Sequence, residues 1–135
     1  MIKTKTAIQK GKELENYVAA QIELKRLGNA RRAIGSGNGN REKADIDTDV
    51  QVLGRNLGIE CKNYSNAKVK EWWTQTQKLE RLGREPVVAY KLKNESYSDT
   101  KVIIYLNTFL DILKAVQVKN TLSTTTTMNR EDKYT

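Results

Sequence analysis

Residues 44–63 read ADIDTDVQVLGRNLGIECKN, and their periodicity carries most of the fold. From Asp45 to Leu53, apolar Ile46, Val50 and Val52 interleave with Asp45, Asp47, Asp49 and Gln51, the period of two that marks a half-buried strand. Gly54-Arg55-Asn56 is a turn signal, and Leu57 to Lys62 returns as a second strand, so a hairpin is expected. Alternate side chains of a strand share a face. Glu60 and Lys62 therefore project together, with Cys61 turned the other way toward the apolar layer. The three aspartates also share one face, and the hairpin brings at least one of them beside Glu60.

Two carboxylates meeting beside an ammonium suit a hard divalent cation. Mg²⁺ prefers oxygen ligands and keeps several waters. Such a cation eases the deprotonation of water and stabilises charge on a phosphate under attack. The chain has no histidine, which excludes His-ligated zinc, His-based triads and His-dependent nuclease chemistry. Cys61 is the single cysteine, so an internal disulfide and a thiolate zinc site are both excluded.

The surroundings of this acidic stretch are basic. The 135 residues carry a net charge of +8, which favours a polyanionic partner, nucleic acid first. Residues 1–43 hold ten Lys/Arg against four Asp/Glu, and residues 64–98 are basic again. An acidic knot inside a basic chain suits a protein that holds phosphates over a metal.

Outside the hairpin, residues 6–27 read as a helix on the spacing of Leu14, Tyr17, Val18, Ile22 and Leu24, stopped by Gly28. Arg31 to Ile34 is a short strand running into the flexible loop Gly35-Ser36-Gly37-Asn38-Gly39-Asn40. Residues 66–83 read as a second helix, Pro86 to Tyr90 and Lys101 to Leu106 as strands, and the chain from Asn107 or Thr108 through Val116 as a last helix. The order predicts an α/β domain, one mixed sheet with helices packed on it, over residues 1–119. Residues 120–135, with five threonines between Thr121 and Thr127, are expected to be a disordered polar tail. No run of apolar residues is long enough for a membrane span, and the basic N-terminus lacks the apolar stretch of a signal peptide. A cytoplasmic protein is the expectation.

Gly11-Lys12-Glu13-Leu14-Glu15, Gly35-Ser36-Gly37, Ala44-Asp45-Ile46 and Ile59-Glu60-Cys61-Lys62 together resemble the archaeal and phage Holliday-junction resolvases, a branch of the PD-(D/E)XK nucleases. The resemblance covers roughly residues 9–92 and implies a restriction-endonuclease-like fold. It places the first-helix glutamate at Glu15, the motif aspartate at Asp45 or Asp47 with Ala44 where proline is usual, and the (D/E)XK pair at Glu60 and Lys62. Ser36 takes the place of the serine that assists near the scissile phosphate. Asp45, Glu60 and Glu15 are the implied metal ligands, with Mg²⁺ (or Mn²⁺ in its place) as cofactor. Arg31, Arg32, Ser36, Arg41, Lys43 and Gln75 are the candidate DNA contacts, with Gln77 as an alternative to Gln75. The implied activity is paired hydrolysis of phosphodiesters at four-way DNA junctions by a homodimer. The alternatives are a restriction or repair nuclease of the same superfamily and a non-enzymatic basic DNA-binding module. Trp72 and Trp73 are read as packing anchors rather than base-stacking platforms.

Overall fold

The computed structural model describes residues 5–34 and 44–134, with side chains through residue 122. Helix α1 (Ala7–Leu24) begins at Thr6, whose hydroxyl accepts from Gln9 N–H while the Gln9 side chain accepts from Thr6 N–H, a reciprocal cap. Its buried residues Leu14, Ala19 and Ile22 form the inward stripe. Strands β1 (Ala30–Arg32) and β2 (Ile46–Thr48) pair antiparallel, Arg32 opposite Ile46.

A second sheet holds the site. Its order is β3–β4–β5–β6, with β3 at Gln51–Val52, β4 at Arg55–Tyr64, β5 at Glu85–Leu92 and β6 at Lys101–Ile103. β4 and β5 are parallel, with Glu60 beside Val88 and Lys62 beside Tyr90; the outer pairings are antiparallel. Parallel strands need a crossover. Here it is α2 (Val69–Gln77) followed by a 3₁₀ turn (Lys78–Leu82). Gly83 ends that turn at φ +72, where a side chain would be strained. Because the strands lie inside the sheet, β5 reads as a continuous buried run from Glu85 through Ala89. Gly58 permits the close packing of the crossover on β4, since a Cβ there would lie about 3 Å from Leu79 and Arg84 side-chain atoms.

The core lies between the helices and this sheet: Leu14 and Ile22 from α1, Ile46, Ile59 and Cys61, Trp72 and Leu79 from the crossover, and Val87 to Ala89. Trp72 stacks between Tyr64 and Tyr90, with ring centroids 5.5 and 5.4 Å away, so it is an anchor, as its spacing in the sequence suggests. The mixed α/β architecture is the expected one.

Several boundaries differ from the sequence reading. The single strand expected from Asp45 to Leu53 is broken into β2 and β3 at Asp49 and Val50. Asp49 turns aside to accept hydrogen bonds from Asn29 N–H and its side-chain amide, at 2.8 and 2.9 Å. The hairpin turn is Leu53-Gly54, both at positive φ (55 and 79), one residue earlier than expected. Positive φ at both central residues is the turn that matches strand twist, at the expense of a leucine in the left-handed region. The second helix gives way to the 3₁₀ turn after Gln77, and β6 ends at Ile103 rather than Leu106.

The chain divides into two compact units, one through Ile103 and one from Ile104 onward. The second unit is α3 (Leu106–Tyr134), whose backbone stays helical well past Val116, where the apolar pattern fades. Thr, Ser and Asn are weak helix formers, so composition argued against this extension. Among the described residues no helix is long and apolar enough to cross a membrane.

Candidate active site

Asp45 sits where the two sheets meet. Its N–H donates to Ile59 C=O at 2.9 Å, and its own C=O accepts from Ala33 N–H at 2.8 Å. Its carboxylate Oδ2 accepts from Cys61 N–H at 2.8 Å. Two backbone bonds and one side-chain bond, two of them to β4 and one to Ala33 just past β1, hold Asp45 beside the stretch of β4 that carries Glu60. The other aspartates are engaged elsewhere: Asp49 on Asn29, and exposed Asp47 within 3.9 Å of Arg31 Nε. Of the two aspartates left open by the sequence, Asp45 is the one that lies beside Glu60.

Glu60 projects from β4 into the same recess. Its carboxyl is pushed up to about 9, first by burial, then by the charge of Asp45 and a hydrogen bond shared with it. Glu15 adds to the rise and Lys62 opposes it. Two carboxyls in hydrogen-bond contact repel when both are charged, which favours the protonated form of Glu60. Glu15, buried on α1, has its Oε2 3.9 Å from Arg32 Nη1. Cys61 faces away from Glu60 and is buried; burial and the surrounding carboxylates push its thiol well up, so it is a packing residue and not a nucleophile.

Lys62 is almost fully buried, and its Nζ donates to Gln75 Oε1 at 2.7 Å. Gln75 lies on α2, so the crossover that covers the sheet also aims the lysine. The structure brings together Glu15, Asp45, Glu60, Lys62 and Gln75. Arg32 borders the group through Glu15, while Arg31 stands apart on Asp47. Ser36, Arg41 and Lys43 lie outside the described residues.

Among the described residues no group of three or more His, Cys, Asp or Glu side chains is already gathered as a metal cage. The donor set nevertheless fits a hard divalent cation. All candidate donors are carboxylate oxygens, and the charge of Asp45 that raises the Glu60 carboxyl marks a place where a positive charge would be stabilised. Mg²⁺ is commonly held by one or two carboxylates with waters completing its shell.

Sequence reading noted Lys91 after the strand ending at Tyr90 without giving it a role, and did not find the other lysines and tyrosines that line a cleft at the far ends of β4 and β5. They lie on segments far apart in sequence, and only the parallel pairing of the two strands brings them together. That pairing was the available signal, because clefts in open α/β sheets form outside the carboxyl ends of parallel strands.

A half-buried carboxylate pair and a held lysine, on a mixed sheet with a parallel centre, are the site of a PD-(D/E)XK nuclease. The chain belongs to the family described as "Phage putative PDDEXK endonuclease", whose pattern it matches over residues 7–135. Among solved structures it is similar to that of Archaeoglobus fulgidus Hjc, a Holliday junction resolvase from an archaeal hyperthermophile. The identity is 23%, the similarity covers 68% of this chain and 73% of that one, and the TM-score is 0.48. No curated protein matches the chain.

Proposed function

We propose that the protein is a Mg²⁺-dependent, structure-specific endonuclease that resolves four-way DNA junctions by paired phosphodiester hydrolysis. The observation that carries the nuclease chemistry is the contact of Asp45 with Glu60 beside a buried Lys62 that Gln75 holds. Asp45 and Glu60 would hold the cation, with Glu15 in support. The cation, when bound, stabilises negative charge on the phosphate and lowers the pKa of water. Lys62 orients the attacking water and offsets charge on the phosphate as the bond to the leaving oxygen breaks. Gln75 keeps the lysine from swinging toward solvent. Ser36, from the glycine-rich stretch of sequence, assists at the scissile phosphate.

Substrate class rests on sequence. The four motif segments resemble junction resolvases, and basic segments flank the acidic centre on both sides. Symmetric cuts across a junction need two active sites, so the working unit is a homodimer. Phosphate contacts alone bind any duplex, with steep salt dependence, so junction preference must come from arms held together at angles a linear duplex cannot offer. The cytoplasm is the proposed compartment, consistent with a single free thiol.

Cleavage of a synthetic four-way junction beside the matching linear duplex, in Mg²⁺ and in EDTA, tests the proposal. Paired nicks on opposite strands of the junction, with clear preference over linear duplex at about 0.15 M salt, are the expected result. Equal affinity and equal cutting of linear duplex would reject junction resolution and leave a broader nuclease. Absence of cutting with either substrate and Mg²⁺ would leave a DNA-binding module.

A further inference from the structure

On the face of β4 opposite Glu60 and Lys62 lies a cleft of about 610 Å³. It opens at the carboxyl ends of β4 and β5 and the start of α1. Cys61 and Asn63 belong to its lining, with Lys10, Gly11, Lys91 and Lys93 around them. Glu60 and Lys62, the alternate residues of the same strand, face the catalytic recess. The two sites therefore share one strand, through its alternate residues.

The cleft has a cationic surplus. Its two carboxylates are engaged by other groups. Glu13 accepts from Tyr97 Oη at 2.7 Å and pairs with Lys5 at 2.8 Å. Glu95 accepts from Lys101 Nζ at 2.7 Å and from Leu92 N–H at 2.8 Å. Lys91 lies over the Tyr97 ring, 5.2 Å from its centroid. Among the described residues, neither the Lys10 nor the Lys93 ammonium is paired with a carboxylate. Asn63 holds the wall in place by donating its side-chain amide to Lys10 C=O at 3.1 Å.

Size and position narrow the ligand. From Lys62 to Ser65 the chain advances roughly 10 Å at strand spacing. One DNA strand advances about 3.4 Å of axis per nucleotide, so the advance from Lys62 to the end of the cleft is roughly three nucleotides long. Gly11 opens the cleft from the helix side: a Cβ placed there would meet nothing within 4 Å.

We infer that this cleft seats the sugar–phosphate backbone of the DNA strand a few nucleotides from the cleaved bond, with Lys10 and Lys93 as its phosphate contacts. The inference rests on the nuclease reading and extends it to a second site. Lys10 and Lys93 are positioning residues, because they touch substrate away from the reacting atoms.

The test uses the full chain and labelled duplex and junction DNA in EDTA, with Lys10→Ala, Lys93→Ala, the double variant, and Lys78→Ala on the exposed 3₁₀ turn as control. Each cleft substitution should weaken binding several-fold and lower the slope of log affinity against log salt by about one. Single-turnover cleavage at saturating DNA with Mg²⁺ should stay within a few-fold of wild type. Gly11→Leu provides a steric arm. Leucine favours helix over glycine, so the melting temperature should hold or rise while DNA affinity falls. Affinity and salt slope of the double variant equal to the Lys78→Ala control would overturn the cleft assignment, provided that wild type binds and cuts DNA. A wild-type chain that neither binds nor cuts DNA would overturn the nuclease reading along with it.

Discussion

Lys62 and Gln75 are joined by a 2.7 Å hydrogen bond between the last motif residue on β4 and the crossover helix α2. A lysine loses a great deal of side-chain freedom when held in one place. The partner that holds it is therefore part of the machinery. Lys62→Ala should lower the single-turnover cleavage rate by roughly two to four orders of magnitude, the range for a positioned acid–base or electrostatic group. Gln75→Leu should cost less, about tenfold, because the ammonium remains but is aimed less well. A Gln75→Leu rate equal to wild type would show that burial alone positions the lysine.

The carboxylate pair makes a separate prediction. Asp45→Asn and Glu60→Gln keep the shape of each side chain and remove its charge. Each should abolish Mg²⁺-dependent cleavage while junction binding in EDTA stays within a few-fold of wild type. Binding survives because affinity comes mainly from Lys and Arg contacts to phosphate. Gel-shift and single-turnover assays on the same preparations separate the two effects. Cleavage within a few-fold of wild type in both variants would dismiss this site.

Much of this site was legible in the sequence because period two is a local signal: Glu60 and Lys62 must share a face whatever surrounds them. The hairpin was legible for the same reason. Its turn was misplaced because Leu53 takes a positive φ, which its own chemistry disfavours and which tertiary pairing imposes. The break between β2 and β3 was hidden because Asp49 follows the alternation while its side chain is drawn to Asn29, 20 residues away. The basic cleft depends on β4 and β5 running side by side, a contact between distant segments that no local pattern encodes.

The end of α3 invites a truncation. Residues from Thr121 onward carry few large apolar side chains and little area to bury against anything. Removing residues 121–135 should shift the melting temperature by no more than a few degrees. Loss of cooperative unfolding in the truncated chain, measured by calorimetry, would show that this segment docks and contributes to the fold.

Glu60 links pH, stability and metal. In the unfolded chain its carboxyl titrates near 4.5; in the fold, burial and Asp45 push it up to about 9. Between those values the folded state keeps a proton that the unfolded state releases. The stability due to that proton is complete below about 4.5 and is lost as pH rises through about 9. Each unit of such displacement corresponds to about 1.4 kcal/mol. In EDTA, then, the melting temperature should fall between pH 5 and pH 9 more steeply for wild type than for Glu60→Gln, which cannot titrate there. The difference between the two proteins isolates Glu60 from the background of the other charges. A divalent cation can take the place of that proton, and binding to the folded state alone raises stability by mass action. Adding Mg²⁺ should therefore raise the wild-type melting temperature more at pH 8–9 than at pH 5–6, and should do little for Glu60→Gln at either. Parallel pH curves for the two proteins in EDTA would refute the raised Glu60 carboxyl. A Mg²⁺ effect of equal size in both proteins would place the cation somewhere other than at Asp45 and Glu60.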